Sequence, residues 1–343
     1  MLLRDSVDVV LPTSVSGRLL RVESGRSAGQ MVLVFRGPDQ VVIIEHGDRE
    51  SVQSIDVTFA DTTARLLAVA PTSYTGGLAL GYPSGEVLPV HWSTRSVADR
   101  TSLPSPAAVN RDTIAELRPT AIAVSSKRYA IASVSAERGL EVLAVKSGTR
   151  TWRVGVLRTL LAEVPRAATI FGGLRISSTE SLIAVATDLS DNAYIFRGQS
   201  LSVDSVRLTP SRRRGARTDL ARRIWLADSL AKIDLLLEPS SAAAAAIVGD
   251  SLLAVVFLDQ VERSGFMGGE AYLQLAPLAG QVSCGDIAVP GSIFPIRQFA
   301  LDKGGVLEAV RVISAPRERP IRLRMTRFAI RPEKCSWTAS SMH

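Results

Sequence analysis

The sequence predicts an all-β protein: a six-bladed β-propeller of four-stranded antiparallel blades, with a short helical or irregular insert near 210–248. Three observations predict it. Short apolar runs bounded by Gly, Pro, Ser and Asp dominate the chain, the signature of strands joined by turns. The runs fall into six sets of three or four, and similar units that cannot bury their faces alone belong to repeat architectures. Each set holds one strongly apolar run, as expected of a strand covered on both faces by neighbouring blades.

Residues 1–15 read as an N-terminal strand or tail, 16–331 as the propeller and 332–343 as a C-terminal tail. The first set is GRLLRVES (17–24), QMVLVFR (30–36) and QVVIIEHGD (40–48), with Gly37, Pro38 and Asp39 as a turn signal. ARLLAVAP (64–71), GLALGYP (77–83) and EVLPVHW (86–92) form the second. Pro104 and Pro106 mark the connection to the third: TAIAVSS (120–126), RYAIASVS (128–135), GLEVLAVKSG (139–148) and TWRVGVL (151–157). The fourth is TIFGGLRIS (169–177), SLIAVATD (181–188), NAYIFRG (192–198) and VDSVRLTP (203–210). DSLLAVVFLD (250–259), AYLQLAPL (271–278) and GQVSCGDIAVP (280–290) make the fifth. The sixth is FPIRQFALD (294–302), GVLEAVRVIS (305–314) and IRLRMTRFAI (321–330). In that last run Arg322 and Arg324 alternate with Ile321, Leu323 and Met325, the pattern of an outer or edge strand. It, or DVVLP (8–12) from the other end of the chain, is expected to complete a blade across the termini.

Helical signal is confined to one region. RTDLARRIWLADSLAKIDLLL (217–237) offers Asp219 as a cap and Leu220, Ile224, Trp225 and Leu230 as an apolar stripe. The five alanines of SSAAAAAIVGD (240–250) have high helix propensity. Both are expected in the insert between the fourth and fifth sets.

Charge is concentrated rather than spread. The formal net charge is +7, and RLTPSRRRGARTDLARR (207–223) alone carries seven arginines against Asp219. A dedicated nucleic-acid binder distributes basic residues over a face or helix, so nucleic acid is disfavoured as a partner. Hydrophobic residues make up 46% of the chain but aromatics only 5%, which leaves the core to Val, Leu, Ile and Ala. No run reaches the ~18 uncharged apolar residues of a membrane span. MLLRDSVDVVLP places Arg4, Asp5 and Asp8 where a secretory leader needs an apolar stretch, so the chain reads as cytoplasmic or as the mature form of an exported protein.

The second half resembles uncharacterised bacterial six-bladed propeller proteins of the TolB-like and NHL-type group. VDSVRLTPSRRRGARTDL looks like a blade-ending strand followed by a basic turn, AAAIVGDSLLAVVFLD like the next opening strands, and GQVSCGDIAVPG like a closing strand. The resemblance covers 120–331 by motif and 16–119 by pattern alone. It implies the fold, a periplasmic or extracellular setting, and no catalytic residues to transfer.

The expected function is therefore a non-catalytic ligand- or protein-binding scaffold, monomeric and without a cofactor. Its candidate site is the arginine turn. Arg212, Arg213, Arg214 and Arg217 could contact an anion, with Gly215 admitting it to the backbone, or could pair with acids of neighbouring loops. The alternative is a metal-dependent hydrolase or lactonase-type enzyme with a divalent cation such as Ca2+ in the central channel. Glu23, Asp188, Asp191, Asn192 and Asp259 are its candidate ligands, and equally ordinary strand-end residues. Glu45, His46 and Asp48 are a weaker acid–base cluster, while His91 reads as a packed strand-end residue. FMGGEAY (266–272) and FGGLR (171–175) read as turns without a nucleotide-binding pattern. Cys284 and Cys335 lack metal-ligand spacing and read either as a disulfide or as two separate thiols.

Overall fold

The computed structural model describes residues 1–24, 30–36 and 40–45, most of 174–335, and the backbone of the strands between 51 and 157 and at 337–339. Among these the strands form six antiparallel sheets. The first contains β2 (Arg18–Ser24), β3 (Gln30–Arg36), β4 (Gln40–Glu45) and β5 (Ser51–Asp56). The second contains β6 (Ala68–Pro71), β7 (Gly77–Gly81), β8 (Val87–His91) and β9 (Ser96–Val97). The third is β10 (Pro119–Val124), β11 (Arg128–Ser135), β12 (Gly139–Lys146) and β13 (Arg150–Leu157). The fourth is β14 (Arg175–Ser178), β15 (Leu182–Ala186), β16 (Asn192–Arg197) and β17 (Val203–Arg207). The fifth is β18 (Ser241–Val248), β19 (Leu252–Arg263), β20 (Phe266–Pro277) and β21 (Val282–Ala288), with β25 (Trp337–Ala339) added outside β21. The last is β22 (Gln298–Leu301), β23 (Val306–Val312) and β24 (Arg322–Ala329), completed by β1 (Leu2–Val10).

The opening strands of successive sheets touch in a circle: β2 with β6, β6 with β10, β10 with β14, β14 with β18, β18 with β22, and β22 with β2. This is the all-β antiparallel propeller, in which radial packing leaves only short edges.

The core lies between the sheets. Along β19, Leu253, Val255 and Phe257 pack with Ile195, Ala184 and Val206 of the fourth sheet. Their neighbours Ala254, Val256 and Leu258 pack with Phe299, Leu307 and Phe328 of the last. Both faces of the strand are buried, which is why its sequence is apolar without alternation. A third cluster joins the last sheet to the first through Leu323, Met325, Leu33 and Phe35. Each fully buried Leu or Phe contributes about 1.5–3 kcal/mol over its exposed state.

Four expectations need correction. The alanine run is a strand, β18, not a helix. Ala242 packs toward the fourth sheet and Ala244 and Ala246 toward the last, so the strand is held by neighbours on both faces. Tertiary packing thereby overrides helix propensity. FMGGEAY is not a turn but the start of β20, and a Cβ on Gly269 would sit 2.7 Å from Leu258 Cδ1. β24 is an interior strand, since β1 pairs along it from Leu2↔Ala329 to Val10↔Arg322. In the first set the opening run GRLLRVES forms the half-exposed β2, and not one but two strands, β3 and β4, are buried along both faces.

The irregular connection runs from Leu208 to Ser240, and within it Arg223, Leu226, Ala231, Asp234 and Leu235 are helical. Asp219, Leu220, Ile224, Trp225 and Leu230 lie outside the described residues, as do His46 and Asp48. Residues 337–339 of the expected tail form β25.

Candidate functional site

The chain leaves the outer edge of the fourth sheet at Arg207 and must cross to the inner edge of the fifth at Ser241. The arginine turn lies at the start of that crossing. Leu208 N–H donates to Asp191 O at 2.6 Å, anchoring the exit. Ser211 N–H (2.8 Å), Arg212 N–H (3.2 Å) and Arg213 N–H (3.2 Å) then all donate to Oδ2 of Asp286, on β21. Asp286 N–H donates back to Ser211 Oγ at 3.0 Å. Successive N–H groups converging on one carboxylate make an anion-binding nest. Its anion belongs to the same chain.

Arg213 turns inward, with 5% of its surface exposed. Its Nε donates to Asp286 Oδ1 at 3.2 Å and to Gln274 Oε1 at 3.3 Å. NH1 donates to Asp191 Oδ1 at 3.1 Å, and NH2 to Leu208 O at 2.7 Å. The guanidinium also lies 3.8 Å from the centroid of the Phe257 ring, a cation–π stack in a desolvated setting. Every face of this cation is therefore met by its own chain.

The neighbouring residues hold the loop in place. Arg214 pairs with Asp259 through Nε, and its backbone exchanges bonds with Ser240 at 3.0 Å. Ala216 N–H donates to Asp191 Oδ1 at 3.2 Å. A Cβ on Gly215 would fall 2.8 Å from Asp191 Oδ2 and 2.7 Å from Pro210 Cγ, so the glycine admits a carboxylate to the backbone. Further along, Arg223 grips Glu238 with two bonds of 2.6 and 2.7 Å.

The four arginines of the expected anion site thus divide. Arg213, buried, and Arg214, exposed, engage acids of the chain itself, whereas Arg212 and Arg217 are set at the surface. The field of Arg212 reaches Tyr272, whose hydroxyl donates to Glu270 at 2.7 Å, a bond that pushes the phenol up to about 12.

The expected metal ligands do not come together. Asp191 and Asp259 face arginines of the turn. Glu23 pairs with Arg21 on the innermost β2. Asp188 is buried and bonded to the Thr187 hydroxyl at 3.3 Å, and burial raises its pKa. Asn192 opens β16 and donates its N–H to Ser190 Oγ. Arg175, on the innermost β14, donates to Ala243 O at 2.7 Å and to Leu174 O at 2.9 Å. Burial first, then the nearby Arg21, lowers its pKa to about 10.

Cys284 and Cys335 form a disulfide with a Cα–Cα separation of 5.6 Å. Asp286, Gln274 and Phe257 are the residues that sequence reasoning missed. The one available signal was an acid inside the apolar run of β21.

Fold and site together define a β-propeller whose inter-blade connection is locked by buried ion pairs. No family model matches the chain, and no curated protein matches it. The chain is similar to the solved structure of a member of the duf4221 family from Bacteroides vulgatus ATCC 8482. The two are 9% identical over 99% of this chain and 98% of that one, with a TM-score of 0.55, and the likeness concerns the fold alone. It is also similar to YCF48 bound to D1 peptide, at 10% identity over 95% of both chains, with a TM-score of 0.44. A third similar structure is the Cps50 (Swd1) β-propeller domain of Myceliophteria thermophila, at 10% identity over 93% of this chain and 99% of that one, with a TM-score of 0.44.

Proposed function

We propose that the chain is a non-catalytic binding propeller of six blades, akin to the TolB-like and NHL-type group. It takes an anionic group of a protein or small-molecule partner on the face that carries the 208–240 connection. The circle of six opening strands supports the blade count. One observation carries the binding reading: Asp286 and Asp191 hold the arginine turn from beneath while Arg212 and Arg217 stay at the surface. A loop fixed on a rigid ring presents its side chains without the ordering cost of a mobile one. In this reading Arg212 and Arg217 meet the partner, and Arg213 and Arg214 position the loop. The chain works as a monomer and without a cofactor. An exported setting belongs to the same proposal, supported by the disulfide.

A cation-dependent hydrolase needs carboxylates converging on one ion. Among the described residues no group of three or more His, Cys, Asp or Glu could hold a metal ion. Glu23, Asp191 and Asp259 each face an arginine instead, which favours binding over catalysis.

The test is fluorescence anisotropy with a labelled hexaglutamate peptide, at low salt and at moderate salt. Binding should weaken with salt as screening grows. Replacing both Arg212 and Arg217 by alanine should weaken it roughly 3- to 30-fold, the range of two exposed charge contacts. Unchanged affinity in that double variant, or no binding at low salt, overturns the reading.

A further inference from the structure

Among the described residues, the fifth sheet carries a fifth strand where the other sheets have four. β25 lies on the outer edge of β21, in the register Val282↔Ala339, Ser283↔Thr338 and Cys284↔Trp337. It is the chain's own C-terminal region folded back onto a backbone edge. The covalent tie sits at its entrance: Cys284 is bonded to Cys335, two residues before its ladder partner Trp337. Between β24 and this tie the chain is held by Ile330 N–H donating to Gly305 O at 2.9 Å and by a 3-10 turn over Pro332–Lys334.

Three paired residues make a weak ladder. The net gain from each hydrogen bond is of the same size as the cost of ordering the backbone of one residue. The ladder alone is near balance, so the tie decides whether the strand stays docked. β21 itself does not depend on β25. It pairs with β20 through Tyr272↔Ala288, Leu273↔Ile287 and Leu275↔Cys284, and the nest of Ser211–Arg213 grips its Asp286. Cys284 is buried at 3% exposure, but Cys335 is only half-buried, so attack on the bond comes from the Cys335 side.

We propose that β25 is a redox-released cover over the strand-pairing edge of β21. A dithiol reductant attacks as its thiolate at Cys335 Sγ, forming a mixed disulfide and expelling the Cys284 thiolate. The reductant's second thiol then displaces Cys335, which leaves two protein thiols and one oxidised, cyclised dithiol. With the tie open, β25 leaves its register and the backbone groups of Val282–Cys284 become an open edge, the surface on which an extended segment adds a strand.

Hydrogen exchange of the protein, read by mass spectrometry with and without excess dithiothreitol, tests this. A thiol count confirms the state of the bond. Reduction should raise exchange at 282–284 and 337–339 by tenfold or more and leave 252–258 unchanged. The Cys335→Ser variant should show the same pattern without reductant. Full protection at 282–284 with two thiols counted overturns the proposal, because the ladder then holds without the tie. Loss of protection throughout the fifth sheet also overturns it, because the bond would then be a staple of the whole sheet.

Discussion

Arg213 and Asp286 form a buried ion pair, Nε to Oδ1 at 3.2 Å, with 1% and 0% of their side chains exposed. The carboxylate that neutralises the guanidinium also receives the backbone N–H of the same arginine. Removing one member of such a pair leaves an uncompensated charge in the interior. Asp286→Ala is expected to lower stability by about 3–5 kcal/mol, seen as a lower urea midpoint at unchanged slope. Asp286→Ala combined with Arg213→Met should lose less than the two single losses added together. Strict additivity would deny the coupling.

Gly215 stands where a side chain would collide with Asp191 and Pro210. Gly215→Ala should destabilise the fold by roughly 1–3 kcal/mol, as overpacking does. It should also raise hydrogen exchange at Ala216, whose N–H bonds to Asp191. An unchanged exchange rate there would show that the loop adapts freely.

Glu308 makes the fold sensitive to pH. It lies in one row across the last sheet, opposite Ala300 on one side and Arg327 on the other, with Asp5 beyond. It is buried, and burial raises its pKa to about 7, against the pull of Arg327 and with the push of Asp302 and Asp5. Between the unfolded value of 4.5 and about 7 the folded protein holds a proton that the unfolded chain has released. Stability from this group is thus full below the lower value and declines as pH rises through that window, by about 3 kcal/mol at most. Glu308→Gln keeps the shape of the neutral acid, so urea stability measured from pH 5 to 8 should lose most of its slope. An identical slope in the variant would assign the dependence elsewhere.

Deleting residues 1–10 tests the closure of the last sheet. It removes Val9 from the core beside Leu323 and Met325 and leaves β24 as an open edge. Size-exclusion chromatography should show association or aggregation of the shortened chain, as exposed edges promote. A monomer with wild-type stability would mean that β1 is dispensable.

Most of the strands were legible because their cause is local. LLAVVF is apolar throughout because two neighbouring sheets cover β19, and every residue of β15, from Leu182 to Ala186, is likewise buried. The strands that escaped were those whose cause is distant. Ser51–Asp56, Ser96–Val97 and Trp337–Ala339 are polar or short and exist through pairing with a partner already in place. The alanines of β18 say helix until the two sheets that pack on either face of the strand are known. The arginine turn was legible as a charge cluster, but its occupant was not. Asp286 lies 73 residues from Arg213, and no local pattern announces that a carboxylate so far along the chain fills the nest.

The pairing of β1 with β24 also orders events in time. Ser6 and Thr326 meet although they stand 320 positions apart in the chain. At about 5–20 residues per second of synthesis, the first strand waits roughly 16–64 s for its partner to be made. Leu2 and Leu3, still 53% and 58% exposed in the finished fold, lack their partner strand until β24 is made, and are meanwhile open to chaperones or to a neighbouring nascent chain. Residues 1–10 are made long before the strand that holds them and are among the last to find their place.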